Sequence, residues 1–561
     1  MSQPTHPALQ RAILLQRSGD TAGAAAIYRQ LLRSAPGDPQ LLFLLGSAEQ
    51  QLGRQDEAAT LLRQSLHLRP NQPSALCNLG VALFELGRYD EALASYDRAL
   101  ALNPNYAMAY NNRGNALVAL GRREEALDSF ARALAVEPRY ADAHNNRGGA
   151  LREKRDLENA LAAFDRAIAL APGFAMAHLN RGTTLNELCR PDEALASFDH
   201  ALTLNANQAA AHCGRATALF ALKRFAEAEA SNQRSIALAP ELAEAHWNRA
   251  LFRLIAGDLA EGWEDFEWRF KLDEWHRALH YGAEDSRQRL WTGDQPIAGK
   301  TLLVRPEQGY GDFVQFARYI PMLRSLGANT IVETLPRLVP LLATLDCDAT
   351  IIEAGRPLPP FDLFCPIMSL PRAFRTRLET VPAKVPYLFA DPQKQSRCLE
   401  RLGGKTAPRI GLVWSGSPKH PADRLRSVAL QSLEPVLRQP LEFHALQKDI
   451  SLTDAALMSA FRIRPHDEEQ DDFSDAAALI ACMDLVVTVD TAVVHIAGAM
   501  GAPVWVMLSW MADWRWLLDR ADSPWYPTAT LFRQKERGDW AGAVEALATQ
   551  LRRRDFRAET R

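Results

Sequence analysis

The chain is short of net charge, of paired cysteine and of compact catalytic signatures. Its 64 Lys and Arg nearly balance its 67 Asp and Glu over 561 residues. A net charge of −3 offers no basic face to a phosphate backbone, which argues against a nucleic-acid partner. Seven cysteines lie scattered at 77, 189, 213, 347, 365, 398 and 482. None forms a C-x-x-C pair, and an odd count suits no closed disulfide framework, so reduced thiols in a cytoplasmic protein are expected. The first residues hold no basic segment leading into an apolar core, so neither signal peptide nor anchor is expected. The apolar stretch at 484–508 is long enough to span a membrane, but Asp490, His495 and Pro503 interrupt it, which argues against a span. No G-x-S-x-G or P-loop occurs, the histidines lack metal-ligand spacing, and no metal or cofactor is expected. Asp346-Cys347-Asp348 reads as a loop, and the acidic run at 467–472 as a solvated face.

What the chain does have is a period. Prolines recur at 36, 70, 104, 138, 172 and 240, always 34 residues or a multiple apart, and Ala206 fills the missing place. Glycines at 46, 80, 114, 148 and 182 keep the same register. So do Ala24, Ala58, Ala92, Ala126, Ala160, Ala194 and Ala228, each followed four residues later, as far as position 198, by Tyr28, Leu62, Tyr96, Phe130, Phe164 or Phe198. Small residues permit close helix–helix approach, and the Pro ends the second helix of each pair because it has no N–H and disfavours helix in the residue before it. The pattern resembles the tetratricopeptide repeat, with seven repeats over about 5–241 and a capping helical pair that takes the array to 275. In that last pair Gly262 replaces the ladder Ala, and Trp263, Trp268 and Trp275 crowd its second half, suited to join the array to the next domain.

Asn78, Asn112, Asn146, Asn180 and Asn248 form a further ladder in register, with Gly214 in the gap. Asn is a mediocre helix former, so five in register need a reason. Each could bond a neighbouring repeat's backbone. Alternatively, a row of amides could hold an extended peptide acceptor by its backbone. The row is similar to the asparagine ladder of eukaryotic protein O-GlcNAc transferases. Arg113, Arg147, Arg181, Arg215 and Arg249 run beside it and read as a solvated face paired with acidic neighbours.

From about residue 299 the pattern changes to strand–helix alternation, after an irregular connector at 276–298. A first lobe, 299–395, opens with a strand at 300–305, the loop Pro306 to Asp312 and a helix at 313–326. Further strands are expected at 330–333, 350–353 and 362–366. The second lobe, 396–561, begins with a strand at 409–414 and the small-residue loop Ser415-Gly416-Ser417-Pro418. A strand at 441–446 ends in Gln447-Lys448, a helix is expected at 475–483, and the chain closes with a strand at 530–533 and an amphipathic helix at 540–553.

The most informative unit is DLVVTVDTAVVHIAGAMGAPVWVML at 484–508, a strand, turn, helix and strand with Thr491 as helix N-cap. The carboxyl end of such a strand and the N-terminus of the following helix make a ready anion site, so Asp490, Thr491 and His495 sit where a nucleotide diphosphate could bind. A buried parallel-sheet unit whose Asp merely caps the helix would read the same way.

The pieces EQGYGD, RIGLVWSGSP, the segment around Arg424 to Ser427, LQK, VDTAVVHIAGAMGAP, DWRW and SPWYP stand in family order over about 291–534. Together they resemble the ADP-heptose:lipopolysaccharide heptosyltransferases (glycosyltransferase family 9) and their tetratricopeptide-fused bacterial relatives. The resemblance implies a GT-B fold of two Rossmann-like lobes and an inverting, metal-independent transferase that uses a nucleotide-sugar donor as substrate. Carried over by position, Asp312 matches the general base, a role compatible with capping a helix, and Arg426 the basic residue at the departing phosphate. Ser415, Asp490, Thr491, Ala492 and His495 fall in the donor site, and Gln447 and Lys448 near its ribose and base contacts. Ala492 stands where that family has Gly, which narrows the pocket and leaves the donor sugar open. Trp414, Trp514 and Trp525 suit either the cleft or the core. The expected protein is thus an α-solenoid followed by an α/β glycosyltransferase whose array recruits a protein or glycan acceptor. The competing expectation is a non-catalytic interaction scaffold with a degenerate transferase-like half.

Overall fold

A computed structural model describes residues 7–272, 289–417, 423–466 and 470–556. Trp275, residues 276–288 of the expected connector, 419–422 of the polar segment before Ser427, and 467–469 of the acidic run lie outside the described residues. Two compact units divide the chain, Met1–Ala218 and Leu219–Arg561.

The first unit is built from antiparallel helical pairs such as Pro73–Glu85 with Tyr89–Leu102 and Ala107–Ala119 with Arg123–Val136. Each pair closes around one knob and one hole. A Cβ at Gly80 would stand 2.5 Å from the Tyr96 ring, one at Gly148 2.6 Å from Phe164 and one at Gly182 2.8 Å from Phe198, and one at Gly114 would clash in the same way with Phe130. The glycine ladder therefore exists because the aromatic ladder needs its space. Helices end two residues before the periodic prolines, as at Leu68, Leu102 and Leu170. Members of the arginine row pair with acidic neighbours: Arg113 with Asp97 at 2.7 Å, Arg181 with Asp165 at 2.6 Å, Arg215 with Asp199 at 2.6 Å. Exposed pairs of this kind stabilise by about 0–1 kcal/mol.

The second unit contains helices Phe225–Leu238, Ala243–Ala256 and Leu259–Phe266, then two parallel sheets. β1 (Thr301–Arg305), β2 (Asn329–Thr334), β3 (Thr350–Glu353) and β4 (Leu363–Pro366) lie in the order β3-β2-β1-β4. β5 (Arg409–Val413), β6 (Glu442–Ala445), β7 (Leu485–Val489), β8 (Val504–Leu508) and β9 (Ala529–Arg533) lie in the order β6-β5-β7-β8-β9. β5, β7 and β8 are buried at every residue, as parallel strands covered on both faces must be.

One apolar core joins both sheets to the last helical pair. Trp263 meets Trp514 edge-on at 5.2 Å and Phe316 at 6.2 Å, and Phe316 meets Trp525 at 5.8 Å. Edge-to-face pairs of this kind add about 0.5–1.5 kcal/mol each beyond burial. Trp263 does join its helix to the α/β half, and Trp414, Trp514 and Trp525 are core residues rather than cleft walls. Among the described residues, no helix is long and apolar enough to cross a membrane.

Candidate functional site

Two strand-to-helix loops at the carboxyl ends of central strands build the site. After β1, residues 306–309 lead into the Tyr310–Phe316 helix, and the Asp312 carboxylate accepts the Gly309 N–H at 2.7 Å. After β7, Asp490 and Thr491 lead into the Ala492–Ala499 helix. The two helices pack on each other at Gly311. A Cβ there would lie 2.7 Å from the His495 ring and 3.5 Å from the Ala492 Cα, so only glycine lets the lobes approach this closely. Ala492, which stands where the heptosyltransferases have Gly, sits at this contact.

Arg515 crosses from the second lobe to the first. Its Nε donates to Gln315 Oε1 at 2.6 Å, Nη1 to Asp513 Oδ1 at 2.7 Å, and Nη2 pairs with Asp312. Arg318 makes a second crossing, donating to the Trp525 carbonyl at 2.7 Å. The sequence reading singled out neither arginine. A charged residue between two tryptophans was the available signal for Arg515, because a cation buried there needs carboxylates.

Arg426 reaches the other loop. Its Nη1 donates to the Asp490 carbonyl at 3.0 Å and its Nε to Asp423 at 3.2 Å. A Cβ on Gly416 would stand 2.6 Å from the Arg426 guanidinium, so the Ser415-Gly416 loop lies directly over it. Asp312, Arg426 and Asp490 therefore gather at the carboxyl ends of the two sheets, with Arg515 acting electrostatically on both carboxylates.

Burial pushes the Asp490 carboxyl up from 3.8 to about 6; the Asp513 charge adds to this, while Arg515 and Arg426 oppose it. A carboxyl whose folded pKa is raised holds its proton more tightly in the folded state. Its contribution therefore favours folding at low pH, fades as pH rises from about 4 to about 6, and is fully lost above that. We predict that Asp490→Asn flattens the midpoint-against-pH curve between those values. An unchanged slope in thermal melts of the variant would move the titration to another group.

His495 is held well below its ordinary value, first by burial and then by Arg515, Arg318 and Arg426. Its Nδ1 lies 2.9 Å from the Tyr526 hydroxyl, and its ring fills the lobe contact at Gly311. Thr491 occupies the N-cap position, but its side chain does not bond the helix; its Oγ1 lies 3.3 Å from that of Thr488. The expected N-cap position is thus kept, without a side-chain bond to the helix. Gln447 is buried, and its Oε1 accepts the Trp414 and Ser415 N–H groups at 3.3 and 3.2 Å, which shapes the loop. Lys448 is exposed and donates to the Gln470 carbonyl at 2.7 Å.

The asparagines bond one another. Asn180 donates to Asn145 at 3.0 Å, Asn145 to Asn146 at 3.2 Å, Asn146 to Asn111 at 3.0 Å and Asn111 to Asn112 at 3.3 Å. Asn78 donates to Ser47 at 2.8 Å. The ladder amides thus bond side chains of the neighbouring repeat rather than the expected backbone, through the adjoining Asn111 and Asn145. Asn248 is buried in the second unit.

Repeated helical pairs followed by two parallel sheets define a class, a tetratricopeptide array joined to an α/β half. Comparisons with known proteins give the particulars. Tetratricopeptide-repeat models match residues 9–73, 111–173 and 179–243, with further matches at 61–94 and 82–121. The model of glycosyltransferase family 9 (heptosyltransferase) matches residues 471–507, the segment that carries β7, Asp490, Thr491 and His495. The chain is similar to Protein FlbA of Caulobacter vibrioides, 30% identical over 339 residues, which is 55% of this chain and 54% of FlbA. It thus spans about half the length of that curated relative.

Similar solved structures include the APC/C hetero-tetramer Cut9-Hcn1 (20% identity, 44% of this chain and 48% of that one, TM-score 0.40). YrrB, a TPR protein described as having an unusual peptide-binding site, is 24% identical over 34% of this chain and 100% of its own, TM-score 0.30. A thermophilic TPR protein of Thermus thermophilus is 29% identical over 33% and 100%, TM-score 0.28. The family models thus find tetratricopeptide repeats in the first half of the chain and, in the second, a segment similar to glycosyltransferase family 9.

Proposed function

We propose that the protein is an inverting, metal-independent GT-B glycosyltransferase that moves a sugar from a nucleotide-sugar donor to an acceptor recruited by its array. The observation that carries this reading is the gathering of Asp312, Arg426 and Asp490 where the carboxyl ends of two parallel sheets meet. Open α/β sheets bind ligands in that position. Asp312 takes the proton of the acceptor hydroxyl or amine as its oxygen or nitrogen attacks the anomeric carbon. The bond from that carbon to the diphosphate oxygen breaks, and the nucleoside diphosphate leaves with both electrons. Arg426 and the backbone N–H groups of the Ala492–Ala499 helix bear the charge that develops on it. Asp490, beside the diphosphate, suits a ribose or sugar hydroxyl.

A second reading is a scaffold with an inactive transferase half. It is favoured by the Arg515 contact, which already occupies the Asp312 carboxylate. One experiment separates the two: thermal melts of the purified protein against nucleotide sugars and free nucleoside diphosphates. A working donor site is expected to stabilise by about 2.7 kcal/mol at a hundredfold excess of ligand over Kd, and Asp490→Ala to remove the shift. No shift across the panel moves the weight to the scaffold.

A further inference from the structure

The most heavily buried charge among the described residues of the second unit has no part in the chemistry proposed above. Arg269 lies in the 3-10 segment Glu267–Lys271 that closes the last helical pair, and it is 0% exposed. Its Nε donates to Glu307 Oε1 at 2.5 Å and its Nη2 to Glu307 Oε2 at 2.9 Å, a bidentate pair. Nη2 also donates to Ser369 Oγ at 2.7 Å. Nη1 donates to Glu267 Oε1 at 2.7 Å and to the Phe266 carbonyl at 3.0 Å. The Phe270 ring lies beneath the guanidinium at 3.9 Å. Burial pushes the Glu307 carboxyl upward, and Arg269 opposes it.

Glu307 stands two residues before Gly309, whose N–H is held by Asp312. A chain of direct contacts thus runs from the end of the repeat-derived helices to the proposed base. A buried ion pair stabilises no better than a well-packed apolar pair of the same volume, so stability alone does not explain it here. Direction does: a bidentate fork fixes the orientation of its partner, and with it the loop on which Glu307 sits.

We infer that Arg269 and Glu307 are positioning residues through which the terminal helical segment fixes the 306–309 loop, and hence Asp312, for transfer. The inference rests on the transferase reading only for its kinetic consequence. The repeat-derived end of the chain is then part of the acceptor side of the active site as well as a recruiter.

The test uses the full chain and the double variant Arg269→Met/Glu307→Gln, which removes both members of the fully buried pair and leaves only the half-buried Glu267, still bonded by Ser369, without its cation, so that a melting curve separates positioning from folding. Its melting temperature is expected to stay near that of the parent. Displacing a base by about an ångström costs about 100-fold, so kcat should fall by about that factor while KM for the nucleotide sugar is unchanged. Amide exchange at residues 309–313 should accelerate about tenfold, with 489–495 unaffected. Parental kcat and exchange in a folded double variant would overturn the inference, because the pair would then be a structural staple. If the parent itself transfers no sugar, the exchange measurement decides alone: faster exchange confined to 309–313 upholds the positioning contact while the transferase reading falls, and unchanged exchange overturns it.

Discussion

Asp312→Asn is expected to lower sugar transfer by about 100- to 10,000-fold, the range lost when a positioned general base is removed. The substitution is nearly isosteric. Its amide oxygen can still accept the Gly309 N–H, so the start of the Tyr310–Phe316 helix is kept. Arg515 loses one charged partner but retains Asp513 and Gln315. The proposed donor contacts, Arg426, Asp490 and the end of the Ala492–Ala499 helix, are not altered. Donor-induced thermal shift and KM for the nucleotide sugar should therefore match the parent while kcat falls. Near-parental turnover in the variant would sink the assignment of Asp312 as base. Loss of donor binding together with turnover would point instead to a collapsed lobe contact.

How far the sequence foretold this site depends on the kind of information each part carries. Periodicity is local and was legible: Gly114 and Phe130 lie 16 residues apart, as do their counterparts in neighbouring repeats, and the structure brings ring and glycine together. The strands at 485–489 and 350–353 and the helix at 540–553 form as read. The helix expected at 313–326 instead starts at Tyr310 and breaks into three pieces, Tyr310–Phe316, Ala317–Tyr319 and Ile320–Ser325. Pro321 opens the last piece, where its missing N–H costs nothing. The Leu452–Phe461 helix was missed although Ser451 and Asp454 spell a capping signal, and the Ser451 side chain does accept the Asp454 N–H.

Motif order located Asp312, Arg426 and Asp490, but no motif could show that Arg515 lies on Asp312, 203 residues earlier. The same holds for Arg269 and Ser369, 100 residues apart. Pairings of this kind are fixed by tertiary packing and leave no period in the chain. For the asparagines, register alone left two roles open, and only the side-chain geometry showed the amides bonding one another.

Arg515→Met is expected to destabilise the second unit by about 3–5 kcal/mol, the cost of removing one partner from a buried ion pair. The guanidinium is the shared cation of a small anionic cluster. It pairs directly with Asp312 and Asp513, and its charge opposes the rise of the Asp490 carboxyl. Without it Gln315 Oε1 also loses the donor now at 2.6 Å. Arg515→Lys should recover only part of the loss, because one ammonium cannot reproduce a planar fork aimed at three acceptors. Denaturant unfolding of the two variants at neutral pH measures the difference, and parental stability in Arg515→Met would refute the cross-lobe clamp. The sign of the pH dependence makes the test sharper. Asp490 already titrates at about 6 with Arg515 present, and removing the cation moves its carboxyl further up. At a pH of about 5 that carboxyl is protonated and no longer repels Asp513, so the deficit of Arg515→Met should shrink there and widen above about 6. A deficit that is flat across this window would mean that lost packing of the arginine stem, rather than lost charge, sets its size.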